Sequence, residues 1–417
     1  MTNTSATTKV LAPVGGSGRG RGQSRGGRGG HRPTRRRRID RVVSLDAARG
    51  LLVLATVFWL AAPRRPFPAS EPWGPVGLDA FALPAFAVIL GCSAAMAQHR
   101  GWTSGGRIAR RTIILLLLGL LVAAGAALVA GAASGVAVDP EAGTLGGLER
   151  IRIAGPLLQL AVASAALGIL SLLARTWPGW AFAVAVATGV GAGALWLATG
   201  LCGELSDRCS PATLIVTGVA DAAGTTADPL ITAGVTTVIA GLGLALPAAA
   251  GAALVHAFLR ARSVTSHQRG RVVGYGLMAV LLFAILGVLA YFTPTVWGQQ
   301  PLEPATALWT PPLTLAVASL AALLATAMHP SIDTDLRGGT SALGAFAQPF
   351  AAVGRISLLA VGTTLVARTL LEAMAPNPVA AFAALGDIPS IALGLVVVAL
   401  WLALALWADR GGRRLRP

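Results

Sequence analysis

From residue 42 onward, apolar residues run in long blocks separated by short polar breaks. The stretch 113–133 reads IILLLLGLLVAAGAALVAGAA without one charged residue. A block of about 18 or more apolar residues is long enough to cross a hydrocarbon core of about 30 Å as a helix. Inside lipid the backbone must satisfy its own hydrogen bonds, and a helix does so within the segment. Ten blocks follow one another at 42–62, 76–98, 112–134, 153–174, 178–200, 231–258, 272–292, 306–328, 343–371 and 387–408. The pattern predicts an all-α, polytopic integral membrane protein with about ten transmembrane helices. The stretch 203–230 is then the one sizeable connecting loop.

Composition agrees with the pattern. Hydrophobic residues make up 54% of the chain and charged ones 12%, against about 25% charged in ordinary soluble domains. The net charge of +16 is uneven: residues 1–41 hold ten arginines and Lys9 against Asp40, which accounts for ten of those charges. This divides the chain into an Arg/Gly-rich arm (1–38), a membrane domain (39–410) and a basic tail (411–417). The arm lacks the apolar core and cleavage pattern of a signal peptide and is expected to be disordered and cytoplasmic. Two partners suit it. Anionic lipid would attract its arginines at the membrane surface, and nucleic acid would offer phosphates to RGG-like repeats. The arm has no aromatic residue for base stacking and abuts a span, which favours lipid.

Charge between the blocks sets an orientation. With the arm inside, Arg100, Arg107, Arg110, Arg111, Arg260, Arg262, Arg269, Arg271, Arg410, Arg413, Arg414 and Arg416 fall on the cytoplasmic side. Asp139, Glu141, Glu204, Asp207, Asp221, Asp228 and Glu303 fall outside, while Arg64, Arg65, Arg150 and Arg152 break the trend. The expectation is a plasma-membrane protein with both termini cytoplasmic. Cys202 and Cys209 then share an outer loop, CGELSDRC, where an oxidising environment favours a disulfide between them. Cys92 reads as a small buried apolar residue. Most tryptophans, among them Trp59, Trp73, Trp177, Trp180, Trp297, Trp309 and Trp407, stand at block ends and read as an interfacial belt.

A few ionisable residues lie within the blocks, where each costs about 2.5–3.5 kcal/mol at mid-bilayer on insertion scales. Asp46 and Arg49 are three residues apart, on one helical face, and read as a structural pair. Asp79 stands about one turn into the second block, shortly before Pro84, which loosens the backbone ladder. A carboxylate there is either a helix-start acid or a general base.

Five segments carry a resemblance. They are RVVSLDAARGL from Arg41, WGPVGLDAFALPAFAVILGCS from Trp73, RIARRTIILLLLGLL from Arg107, ERIRIAGPLLQLAVA from Glu149 and ALWTPPLTLAVASLAALL from Ala307. In order and kind they resemble the heparan-α-glucosaminide N-acetyltransferase catalytic-domain family, whose LDxxRG opening is also similar to other transmembrane acyltransferases. The resemblance covers most of 39–372. It implies transfer of an acetyl or other acyl group from cytoplasmic acyl-CoA to a glycan or envelope-lipid acceptor on the outer face. It places coenzyme A phosphates near Arg49, Arg107, Arg110 and Arg111, where guanidinium forks suit phosphate; orientation by the positive-inside rule accounts for the same arginines. The family's outer-loop histidine is absent: its place falls on Ala69 or Ser70, and an asparagine expected at the end of the first span falls on Leu60. Proton transfer then passes to Asp79 or Glu71, with Gln159 as a polar helper.

Two other classes remain open on residues alone. Fifty-one glycines and 25 prolines suit the interrupted helices of a transporter, and loss of the histidine suits a non-catalytic scaffold. No phosphate loop, dinucleotide fingerprint or zinc-ligand spacing is present, so no metal cofactor is expected.

Overall fold

The computed structural model describes residues 43–63, 70–99, 105–133, 155–206, 208–262, 268–332, 342–374 and 378–410. The arm at 1–38, the tail at 411–417 and Arg64, Arg65, Arg150 and Arg152 lie outside the described residues. The described chain is all helix, in the order α1 (Val43–Ala61), α2 (Ala82–His99), α3 (Gly105–Ala133), α4 (Pro156–Leu173), α5 (Trp177–Cys202), α6 (Pro211–Ala222), α7 (Pro229–Arg262), α8 (Gln268–Phe292), α9 (Pro311–Ile332), α10 (Ala342–Arg355), α11 (Ser357–Ala373), α12 (Pro378–Ala384) and α13 (Asp387–Arg410). Short 3-10 turns precede α2 (Leu78–Phe81) and follow α8 (Thr293–Trp297).

Among the described residues, eight helices are long and apolar enough to cross a membrane, and a bent pair makes a ninth. This is an all-α polytopic membrane protein. α1, at 19 residues with Asp46 and Arg49 near its start, stands outside that set but coincides with the first predicted block. The ninth block is bent: α10 and α11 pass as a span together and meet at 64°. One sequence expectation needs correction. The stretch 203–230 is not plain loop, because α6 takes up 12 residues of it. Ser210 caps α6 by accepting a hydrogen bond from the Thr213 amide, and Pro211 occupies the first turn, where its missing N–H costs nothing. The Cys202–Cys209 disulfide and Gly203, at φ 91°, turn the chain from α5 into that cap.

The core forms along α2, α7, α8 and α9, around Leu90, Leu244, Leu254, Phe283 and Leu315. A second cluster joins α1, α10, α11 and α13 through Val53, Val57, Val353 and Ala405. Two backbone approaches hold these groups together. A Cβ on Gly91 would lie 1.7 Å from the carbonyl oxygen of Ala248, and one on Gly251 would lie 2.1 Å from that of Val88. In the same way, a Cβ on Gly50 would lie 1.7 Å from Phe350 O, and one on Gly354 would lie 2.1 Å from Asp46 O. At both crossings only glycine fits. Close packing of small residues is the main source of helix association in lipid, where burying apolar surface gains little.

α1 packs on α2 and α11, α2 on α4, α4 on α3, and α3 on α11. These five helices form a closed circuit of neighbours. Across it, α1 and α3 share no extended contact among the described residues.

Gly91→Ala is expected to lower stability in detergent by about 2 kcal/mol or more, because carbonyl backbone cannot yield as a side chain can. Gly189→Ala, with no atom within 4 Å of the new methyl, should be neutral or slightly stabilising. Thermal unfolding of the two variants side by side checks the claim; equal effects would refute it.

Candidate functional site

Polar side chains gather at two opposite ends of the bundle. The arginine end holds the start of α1 and the ends of α2, α4 and α7; the carboxylate end holds the turn before α2 and the segment before α9.

At the arginine end, Arg49 Nη1 donates to Ser93 Oγ at 3.3 Å, and Ser93 returns its own proton to Ile89 O at 2.9 Å. Asp46, three residues back on the same helical face, interacts electrostatically with Arg49. Arg111, from α3, lies within electrostatic range of Arg49. Arg49 Nε is buried and makes no hydrogen bond. Arg110 is exposed. The Arg107 side chain lies outside the described residues. Of the four arginines proposed for phosphate, the fold therefore brings Arg49 and Arg111 together.

Beside them lies a knot that sequence reasoning missed. Gln98 Nε2 donates to Ser171 O at 2.9 Å and to Ala174 O at 3.0 Å. Those two bonds fix the amide's orientation, so Gln98 Oε1 faces His256 Nε2 at 3.0 Å and accepts from it. His256 stacks on Trp180, which is wholly buried. Trp180 and Trp309, 9% exposed, are thus core residues, whereas Trp297 and Trp407 are 66% and 61% exposed and suit the predicted belt. Sequence position places a tryptophan along a span, not around it.

At the carboxylate end, Asp79 sits in the 3-10 turn before α2. Its Oδ1 accepts from the Ser70 amide at 2.9 Å and from Ser70 Oγ at 2.5 Å, while Ser70 Oγ accepts from Gly77 N at 2.8 Å. Ser70 thus closes the 70–79 loop onto Asp79. It is one of the two positions where the resemblance expects histidine, and only the fold shows that it touches the carboxylate. Glu71 is exposed, and its backbone oxygen accepts from Thr306 Oγ1 at 3.2 Å. Ala307 N donates to Pro72 O at 3.1 Å, docking the 302–310 segment on the same loop.

Gln159 serves this end indirectly. Its Oε1 accepts from Trp309 Nε1 at 2.9 Å. Trp309 has φ 53°, a left-handed backbone that a bulky residue adopts only when its surroundings compel it. Here they do. A Cβ on Gly243 would lie 2.3 Å from Leu308 O, and Thr310 Oγ1 accepts from Ala305 N at 3.0 Å. On α11, Arg368 Nη1 donates to Leu60 O at 2.8 Å and Ala62 O at 3.1 Å, satisfying carbonyls left open at the end of α1. The sequence carried no signal for that cap.

The two ends are far apart. Ser93 and Asp79 are fourteen residues apart along α2 and its leading turn, which corresponds to roughly 20 Å at helical rise. Asp79 and Glu71 therefore share one site, Gln159 braces it through Trp309, and Arg49 and Arg111 belong to another.

Gln159→Leu strands the buried Trp309 indole N–H and should cost about 1–2 kcal/mol in thermal unfolding. Adding Trp309→Phe removes the stranded donor, so the double variant should lose less than the sum of the two singles. Strict additivity would show that the pair is not coupled. Against known proteins, no family model matches this chain and no curated sequence matches it.

Proposed function

We propose that this protein is a membrane acyltransferase, taking an acetyl or other acyl group from cytoplasmic acyl-CoA and passing it to a hydroxyl or amine on a glycan or envelope lipid across the membrane. One observation carries the reading: a single helix, α2, joins a guanidinium site beside Ser93 to a hydrogen-bonded carboxylate at Asp79. Donor binding and proton removal need opposite charges, and this arrangement keeps the two groups from neutralising each other. The five-segment resemblance supports the same assignment of ends.

The exposed Arg110 is the arginine a soluble phosphate ester reaches first, with Arg107 predicted beside it. At the other end Asp79 takes the proton as the acceptor attacks the thioester carbonyl, and the thiol leaves as coenzyme A. Two bonds from Ser70 leave a carboxylate with further acceptor capacity, and they hold it in one rotamer. Glu71, exposed on the same loop, is the second carboxylate available to an acceptor.

A transporter is the second reading, favoured by the 64° break between α10 and α11, since broken helices line many carrier sites. A non-catalytic scaffold is the third, and it predicts neither activity.

Purified protein in liposomes, supplied with labelled acetyl-CoA and a panel of glycan and lipid acceptors, tests the first reading. Asp79→Asn keeps an oxygen for Ser70 while losing the base, so transfer should fall by about 100-fold or more. Transfer at the unmodified rate would remove Asp79 from the mechanism. Solute flux without any acyl-CoA would favour the carrier instead.

A further inference from the structure

Trp309 holds a left-handed backbone, φ 53°, that is strained for a bulky residue. Glycine would adopt it freely, so the indole is kept there for what it holds. Its anchors are α4 and α7. Trp309 Nε1 donates to Gln159 Oε1 at 2.9 Å. The Leu308 and Trp309 carbonyl oxygens lie so close to Gly243 that a Cβ there would meet them at 2.3 and 3.0 Å. Thr310 closes the turn: its amide donates to Ala305 O at 3.2 Å, and its Oγ1 accepts from Ala305 N at 3.0 Å. Leu302 and Leu308, 1% and 3% exposed, bury the apolar side of the segment in a cluster on which Trp73 packs.

From that anchor a chain of bonds runs to Asp79. Ala307 N donates to Pro72 O at 3.1 Å, and Thr306 Oγ1 donates to Glu71 O at 3.2 Å. The next residue back is Ser70, whose amide donates to Asp79 Oδ1 at 2.9 Å. We propose that the 302–310 segment is a positioning strap: Trp309 sets where the 70–79 loop sits, and thereby the direction of the Asp79 carboxylate. Three features carry this. The bonds to the loop come from Thr306 and Ala307, just before the strained residue, so an ordinary backbone at Trp309 would swing them off Glu71 and Pro72. Both bonds end on carbonyl oxygens, so they hold the loop's backbone and not a side chain. The anchors lie on α4 and α7, to which the loop does not belong, so Asp79 is fixed relative to the bundle and not to α2 alone. As a role in catalysis the strap rests on the transferase reading; Trp309 and Thr306 are positioning residues.

Hydrogen–deuterium exchange of the full chain in nanodiscs, read on peptides from 70–79, 302–310 and α13, tests the strap without any substrate. Trp309→Gly keeps the left-handed backbone available and removes the indole. Exchange at 70–79 should rise about tenfold while α13 stays unchanged. Faster exchange confined to 302–310 would show that the loop holds itself, and would overturn the proposal. Should Trp309→Gly not fold, Thr306→Val decides. It removes one bond between strap and loop, so exchange at 70–79 should rise about threefold, and Thr306→Ser, which keeps the hydroxyl, should restore it. An unchanged loop in Thr306→Val then overturns the strap. Where the parent protein transfers acyl groups, the same variant should lower kcat by about tenfold and leave KM for acetyl-CoA unchanged, because the donor binds at the other end. A raised KM with kcat unchanged would overturn the positioning role. If the parent protein transfers nothing, the transferase reading fails and the exchange data decide the strap alone.

Discussion

Backbone against backbone is the contact on which the rest of this fold depends. At Gly91 with Ala248 and Gly251 with Val88, α2 and α7 approach until no side-chain atom fits between them. Gly50 and Gly354 do the same for α1 and α10. In lipid, apolar surface gains little by leaving its solvent, so association rests on dispersion, close Cα–H···O contacts and interhelical hydrogen bonds. These crossings fix the arrangement of the helices that carry them. They also place α7 where one helix can serve both ends. Gly241 and Gly243 admit Gln159 and the Leu308–Trp309 backbone at one end, and His256 receives Gln98 at the other.

Several partly buried polar side chains are satisfied by neutral partners: Gln98 by two carbonyls and an imidazole, Thr310 by backbone, Gln159 by an indole. The buried indole N–H groups of Trp177, Trp180 and Trp196 have no such partner among the described residues. Arg368 meets the open carbonyls of α1, as a cation near a helix C-terminus should. Arg49 lies within electrostatic range of Asp46 and keeps one buried donor, Nε, without an acceptor, and Asp79 is held by the hydroxyl and amide of Ser70.

The Arg49–Ser93 bond and the Ser70–Asp79 bond stand at opposite ends of α2 and its leading turn. The closed circuit of α1, α2, α4, α3 and α11 is the part of the fold that runs between both ends and carries polar residues from each.

The sequence by itself determined the membrane class, the approximate limits of the spans and the assignment of Asp79 and the arginines to different ends. It could do so because burial in a hydrocarbon slab is a one-dimensional constraint, legible as runs of apolar residues and as charge between them. It also put Cys202 and Cys209 close enough in the chain to pair, since a loop of eight residues leaves them little choice. The bend at Arg355, the Ser70–Asp79 bond, the Trp309–Gln159 bond, the Arg368 cap and the buried place of Trp180 were decided only by tertiary structure. Each depends on the rotation of a helix about its axis or on contacts between residues far apart in sequence. A hydropathy pattern this uniformly apolar carries almost no phase, so which face of each helix meets its neighbour is settled by packing alone.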